Sequence, residues 1–345
     1  MTSIAKARVL VAIPMFAEVL AGLAQHVELD APCGTDQAID WAPEALAARL
    51  QGVQGMPGAA GILIAGSPRI DAALLAACPA LRAVCSMAVG TNNIDLAACT
   101  AAGVLVSNAP DVLTETTADF GFALMMATAR RITESEHFLR AGRWTHWSYD
   151  LFAGADVHGA TLGVLGMGRI GSAIARRGAL GFGMKVIYHN RSRLDAATEQ
   201  QLGARWVSKQ DLLREADHLV IVVPYSPASH HLVGAAELAL MKPTATLTNI
   251  ARGGVVDDAA LAAALRERRL AAAGLDVFEG EPAVHPDLLT VPNVVLTPHI
   301  ASASLRTRRA MADLAAANLV AVLGNGVHRG PPPTALNPDV LALSR

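Results

Sequence analysis

The 345-residue sequence predicts an α/β fold of two successive doubly wound units, and three observations carry that prediction. Short apolar runs alternate with helical patterns along the chain, as parallel strands alternate with their crossover helices. The runs number about twice the strands that one open sheet usually holds. Hydrophobic residues make up 52% and charged residues 17%, so apolar material is sufficient for two sizeable cores and the polar excess of a disordered chain is missing.

In order, the apolar runs are Val9–Ile13, Gly61–Ala65, Leu81–Ser86, Val104–Ser107, Thr161–Leu165, Lys185–Tyr188, His218–Val223, Ala245–Asn249, Ala273–Val277 and Val294–Thr297. Helical periodicity is longest over Glu115–Leu139, with Thr114 as candidate N-cap, and again over Ser302–Leu323. If both helices join the same two lobes, the C-terminal tail completes the N-terminal lobe and the crossings fall near residues 107 and 300. The domains are then 1–107 with 300–345, and 108–299 between them.

The 28 basic and 30 acidic side chains leave a formal charge of −2, so no polyanion-binding surface and no nucleic-acid partner are expected. Cys33, Cys78, Cys85 and Cys99 form no C-x-x-C pair and no metal-ligand spacing with histidine, which predicts buried thiols and no metal site. Lys6 and Arg8 precede an apolar run, but Pro14 and Glu18 interrupt it before it becomes a signal-peptide core. No apolar stretch approaches the roughly 20 residues needed to span a bilayer. A cytoplasmic protein without a membrane partner is expected.

Thr161–Leu165 runs directly into Gly166-Met-Gly168-Arg169-Ile170-Gly171, and a helical pattern follows. In that context Gly166 permits the tight turn and Gly168 lets backbone approach a pyrophosphate. Gly171 allows close packing of the Ser172–Leu180 helical pattern, whose N-terminus faces the anion; Arg169 and Ile170 are counted with the cofactor residues, Arg169 either reaching the pyrophosphate or lying in solvent. An ordinary glycine-rich turn is the plainer reading, and the flanking strand and helix disfavour it. About 20 residues further on, an NAD-selective site presents Asp or Glu to the adenosine ribose. Asn190-Arg191-Ser192-Arg193 stands there instead. Asn190 does not repel a 2′-phosphate as an acid would, and Arg191, Ser192 and Arg193 can donate to one, which points to NADP(H), with NAD as the other candidate and a solvated basic loop as the plain alternative.

Three later strand ends carry polar residues: Asn249-Ile-Ala-Arg252, Gly274-Leu-Asp276-Val-Phe-Glu279-Gly-Glu281-Pro and Thr297-Pro-His299. With the phosphate loop, and in this order, they resemble the D-isomer-specific 2-hydroxyacid dehydrogenase family over essentially the whole chain. Val112-Leu-Thr-Glu-Thr-Thr-Ala-Asp, His158-Gly-Ala-Thr-Leu-Gly and Gly274-Leu-Asp-Val-Phe-Glu are most similar to its bacterial glyoxylate/hydroxypyruvate reductase B and 2-ketogluconate reductase branch. The resemblance implies a Rossmann-type cofactor domain inserted into a flavodoxin-like substrate domain. It further implies NADPH-dependent reduction of glyoxylate, hydroxypyruvate or 2-ketogluconate, and a homodimer.

The roles implied are Arg252 for the substrate carboxylate and carbonyl, His299 as proton donor, Glu281 as its carboxylate, and Asp276 at the nicotinamide carboxamide. Glu279 is the competing acid, expected to be exposed because the family acid immediately precedes proline. Asp276 also reads as a structural hydrogen bond at a strand end. Val89 and Gly90 match the loop whose backbone amides hold the substrate carboxylate, although Thr91 and Asn92 depart from the family pattern there, and Asn92, Asn93 and Asp95 also suit turns and caps. Trp144, Trp147 and Phe152 compete as the aromatic that relatives place near a partner's substrate. A dinucleotide-sensing corepressor and an NAD-dependent dehydrogenase of another substrate are the alternative functions. Formate dehydrogenase is disfavoured by Glu281, where that enzyme has glutamine, and the long phosphoglycerate dehydrogenases by their additional regulatory domain.

Overall fold

The computed structural model describes residues 5–35, 39, 41–52, 57–324 and 330–343. The chain divides into two compact units, Met1–Leu113 with Ser304–Arg345, and Thr114–Ala303. Each join lies at the start of a long helix, Thr114–Ala129 or Leu305–Leu323.

The first unit carries a parallel sheet of β1 (Arg8–Val11), β2 (Glu28–Asp30), β3 (Gly61–Ile64), β4 (Ala83–Ser86) and β5 (Leu105–Ser107), in the order β2-β1-β3-β4-β5. Apart from β2, every strand residue is buried, which is why these segments read as continuous apolar runs. β2 lies at an edge, short and half polar, and leaves no apolar signal. The C-terminal tail belongs to this unit because it covers the opposite edge. Asn337 accepts from Val106 N (2.8 Å) and donates to Val104 O (3.0 Å), filling groups that β5 would leave open.

Arg8 is the one charged residue in β1, β3, β4 and β5, and it is 2% exposed. Asp30 on β2 accepts from both Arg8 and Arg49, whose Nε lies 2.7 Å away. Asp30→Asn would leave the Arg8 cation buried against a neutral partner. A loss of about 3 to 5 kcal/mol in unfolding free energy is expected from urea titration, against about 1 kcal/mol or less for Arg49→Ala, whose side chain reaches solvent.

The second unit carries seven parallel strands: β6 (Thr161–Leu165), β7 (Lys185–His189), β8 (Ala204–Trp206), β9 (His218–Ile221), β10 (Thr246–Asn249), β11 (Ala272–Leu275) and β12 (Val294–Leu296). They form one sheet in the order β12-β11-β10-β9-β6-β7-β8. Alternate residues face separate cores: Leu162, Val164, Val186, Tyr188 and Val220 pack on one side, Leu165, Ile187, Leu219 and Ile221 on the other. The strand order reverses between β6 and β9, so the loops after their carboxyl ends diverge to opposite faces and open a crevice there.

One expectation fails. The continuous helix predicted over Glu115–Leu139 is two helices, Thr114–Ala129 and Ile132–Arg140, broken where Arg131 adopts a left-handed φ of +54°. Ala155 N takes the Ala129 carbonyl (2.9 Å), and Arg131 forks onto Glu134 at 2.8 and 2.9 Å. Only the first helix buries side chains, against β10 and β11, so the packing that would carry one straight helix ends at Ala129.

Candidate active site

Arg252, Glu281 and His299 follow β10, β11 and β12, three neighbours in one sheet. Parallel register brings their carboxyl ends to one edge, Asn249 beside Leu275 and Leu275 beside Leu296. The loop geometry does the rest. Glu281 Oε2 lies 2.7 Å from His299 Nδ1, and its Oε1 accepts from Phe278 N at 2.8 Å. Burial pushes the Glu281 carboxyl up, but the bond from His299, the positive charges of His299 and Arg252 and the Phe278 amide bring it below its ordinary value. Arg252 is mostly buried and its Nη1 donates to Ala251 O (2.7 Å); burial lowers its pKa, while the Glu281 charge opposes the shift. A cation, an anion and an imidazole with one ring nitrogen held are thereby gathered at the strand ends.

His299 has φ of +53°, a left-handed conformation that costs a non-glycine residue on the order of 1 kcal/mol. Asp276 holds it there. This carboxylate has no exposed surface, and it accepts from Thr297 Oγ1 (2.7 Å), Ile300 N (2.9 Å) and Ala301 N (2.8 Å), donors on both sides of His299. Asp276, expected at the nicotinamide carboxamide, thus makes the strand-end structural bonds that its residue type also suggested.

Glu279 is exposed, as expected, and pairs with His231 Nε2 at 2.9 Å, a bond that raises the His231 pKa. Its backbone N donates to Asp258 Oδ2 (3.0 Å), which ties the Glu281 loop to the Asp258–Arg266 helix. Asp258 escaped notice because Asp257 is the N-cap; the signal was a second, buried carboxylate where one suffices. His230, His231 and Glu279 bring potential metal-ligand atoms within 4.8 Å of one another. The two imidazoles stack at 3.9 Å and 22°, so their lone pairs run side by side and do not converge on one ion.

At the β6 end, Gly166 has φ of +106°, and a Cβ on Gly171 would lie 2.3 Å from Gly166 O. A Cβ on Gly168 would meet nothing within 4 Å, and no side chain caps the Arg169–Arg176 helix behind it. Open space in front of uncapped first-turn amides, Ile170 and Gly171 among them, fits a pyrophosphate. Arg169 is exposed at the same turn.

Asn190, expected beside the adenosine ribose, is tied to the phosphate loop: its Oδ1 accepts from Met167 N (2.6 Å) and its Nδ2 donates to Met167 O (3.2 Å). An amide can satisfy both the N–H and the C=O of one residue, which a carboxylate cannot. Arg191 and Ser192 stay exposed and, among the described residues, make no hydrogen bond or ion pair, whereas Arg193 is bound to Glu199.

In the first unit, Val89 and Gly90 follow β4, and their N–H groups have no acceptor among the described residues. Asn108 Nδ2 holds the Val89 carbonyl at 2.8 Å. Asn93 donates to Pro68 O (2.8 Å) and Asp95 caps the Leu96–Ala101 helix, which are the turn and cap roles. Of the three aromatics, Phe152 packs within its own chain on Phe138 and Arg131, while Trp144 and Trp147 are exposed.

A dinucleotide loop at the reversal of a parallel sheet, with an arginine and a histidine–carboxylate pair at strand ends of the same sheet, defines a nicotinamide-dependent oxidoreductase. Residues 122–301 match the family described as "D-isomer specific 2-hydroxyacid dehydrogenase, NAD binding domain", and the chain belongs to that family. It is 48% identical over 279 residues to a glyoxylate reductase of Thermococcus onnurineus, covering 80% of this chain and 82% of that one. Among solved structures, the TT0316 protein of Thermus thermophilus matches with a TM-score of 0.84 and 37% identity, covering 95% of this chain and 99% of that one. The NADPH-dependent glyoxylate/hydroxypyruvate reductase of Sinorhizobium meliloti, in complex with NADP and malonate, matches with a TM-score of 0.81 and 34% identity, covering 97% and 98%. Identity is thus higher to the archaeal enzyme than to the bacterial reductase whose branch the motifs resemble.

Two outcomes are expected from this geometry. Asp276→Asn places an amide N–H against a backbone donor, and kcat should fall about tenfold or more, with KM for the nicotinamide cofactor changing less than about twofold, because the residue acts through the His299 loop. Steady-state kinetics separates the two effects. Because the folded pKa of Glu281 is depressed, its stabilising contribution is in place above the ordinary carboxylate pKa of about 4.3 and is lost as pH falls through the depressed value. Urea titrations of wild type and Glu281→Gln should therefore differ at neutral pH and converge in acid.

Proposed function

We propose that the protein reduces small 2-keto acids to D-2-hydroxy acids with NADPH, glyoxylate foremost, with hydroxypyruvate and 2-ketogluconate as further substrates. The observation that carries this reading is the Glu281–His299 pair at 2.7 Å beside the mostly buried Arg252. Bound NADPH supplies the hydride to C2 of the keto acid. The planar guanidinium of Arg252 binds the substrate carboxylate and polarises the carbonyl, which a point charge cannot do with one fixed geometry. His299 Nε2 gives a proton to the oxygen on C2, and Glu281 at Nδ1 orients the ring.

The names of the relatives support glyoxylate as substrate, and the exposed Arg191 and Ser192 support the 2′-phosphate. No helix among the described residues is long and apolar enough to cross a membrane. The protein is assigned to the cytoplasm as a homodimer; Trp144, Trp147 and Tyr149 are 55%, 75% and 87% exposed, aromatic surface that a second copy would cover.

A panel of the three keto acids with both cofactors tests the reading; failure to oxidise NADPH with any of them would overturn it. Arg252→Lys should lower kcat/KM for glyoxylate about a hundredfold or more although the charge is kept. Arg191→Ala should reduce the preference for NADPH over NADH about tenfold or more, the value of one charge-assisted contact. A wild type that already prefers NADH would refute the cofactor assignment.

A further inference from the structure

The loop between β7 and the Ala196–Leu202 helix is anchored at both ends, and the anchors are unusual for an exposed loop. At its start, the Asn190 amide clasps Met167. At its end, the Leu194 amide donates to the Tyr188 hydroxyl at 2.8 Å. Tyr188 is fully buried on β7, and its hydroxyl in turn donates to Glu199 Oε1 at 2.8 Å. Glu199 is only 8% exposed and receives a fork from Arg193, Nε to Oε1 at 2.9 Å and Nη2 to Oε2 at 2.6 Å. A glutamate that deep is rare unless it is paired, and here one carboxylate satisfies three donors. Those donors, with the Arg193 charge, hold the Glu199 carboxyl below its usual range, so it stays an acceptor at neutral pH. Between the anchors stand Arg191 and Ser192, exposed and without a hydrogen bond or ion pair among the described residues.

We propose that Tyr188, Glu199 and Arg193 form a latch that sets cofactor specificity by holding Arg191 and Ser192 in the conformation that receives a 2′-phosphate. Arg193 belongs to the latch and is not a phosphate ligand: two of its three guanidinium nitrogens are on Glu199. Tyr188 and Glu199 are positioning residues, fixing the loop before binding so that its ordering does not have to be driven by the phosphate contact. The proposal rests on the NADPH reading and deepens it. It also explains the buried carboxylate, which β7 and the following helix could replace with an apolar side chain if packing alone were at stake.

The test uses Tyr188→Phe, which keeps the ring, Arg193→Met, which alters an exposed end, and the double variant. Binding of adenosine 2′,5′-bisphosphate and of 5′-AMP is measured by calorimetry, and kcat/KM is measured for NADPH and NADH with glyoxylate. Each single substitution should weaken the bisphosphate preference about tenfold, the loss appearing in KM for NADPH and not in kcat. The double variant should lose no more than about twofold beyond either single one, since both break the same latch. A loss confined to Arg193→Met would make Arg193 a direct phosphate ligand and overturn the latch. So would a preference unchanged in all variants, or equal losses for both nucleotides. A wild type with no bisphosphate preference would refute the cofactor reading itself and this inference with it; a wild type that keeps the preference isolates any failure to the latch.

Discussion

The candidate site depends on one constraint: backbone that leaves the carboxyl end of a buried parallel strand has no ladder to satisfy it, and something must fill its hydrogen bonds. Asp276 fills them after β11, taking two amides and a hydroxyl from the segment that carries His299. Asn249 does the same after β10, accepting from Ala251 N at 3.0 Å and donating to Arg252 O at 3.3 Å. Asn190 does it after β7, and Glu281 itself closes a turn on Phe278 N. A short polar side chain with its own backbone fixed in the sheet makes a rigid anchor. The reactive groups then hang from anchors on the sheet and not from mobile loop.

The same arrangement explains why a histidine can occupy left-handed space. The cost, of order 1 kcal/mol, is small beside three hydrogen bonds to a fully buried carboxylate, each contributing roughly 0.5 to 3 kcal/mol. Without Asp276, His299 would relax toward ordinary φ and its Nδ1 would swing away from Glu281. The Glu281–His299 hydrogen bond is thus a consequence of the clamp as much as a constraint in its own right.

Much of this was legible in the sequence, and the limit falls where side-chain partners begin. Buried parallel strands announce themselves as apolar runs, so each central strand was found to within a few residues. β2 and β8 are edge strands of three residues each, Glu-Leu-Asp and Ala-Arg-Trp, whose polar faces leave no run to see. The Gly-x-Gly-x-x-Gly pattern and the Glu281–His299 pairing were readable because family order fixes them. The bonds of Asn190 to Met167 and of Asp276 to the His299 segment were not legible, because a residue type fixes what a group can bond and only the tertiary fold decides to what. Arg130-Arg131 carried no proline or glycine to mark a helix break; the break follows from where burial stops.

The charges at the strand ends show how a site can hold a cation for an anionic substrate while keeping a carboxylate close by. Glu281 and Arg252 attract each other, and a direct fork between them would occupy the guanidinium face that a keto acid needs. Both Glu281 oxygens already have other partners, Phe278 N on one and His299 on the other, and Glu281 acts on Arg252 through its charge. The carboxylate is thereby turned toward the imidazole. Glu279, two residues earlier in the same loop, is turned the other way by His231 and Asp258. Two acids on one short loop are sorted into a reactive and a scaffolding role by which neighbours claim their oxygens and their backbone, and it is that sorting, more than the presence of either acid, that makes the loop a candidate for catalysis.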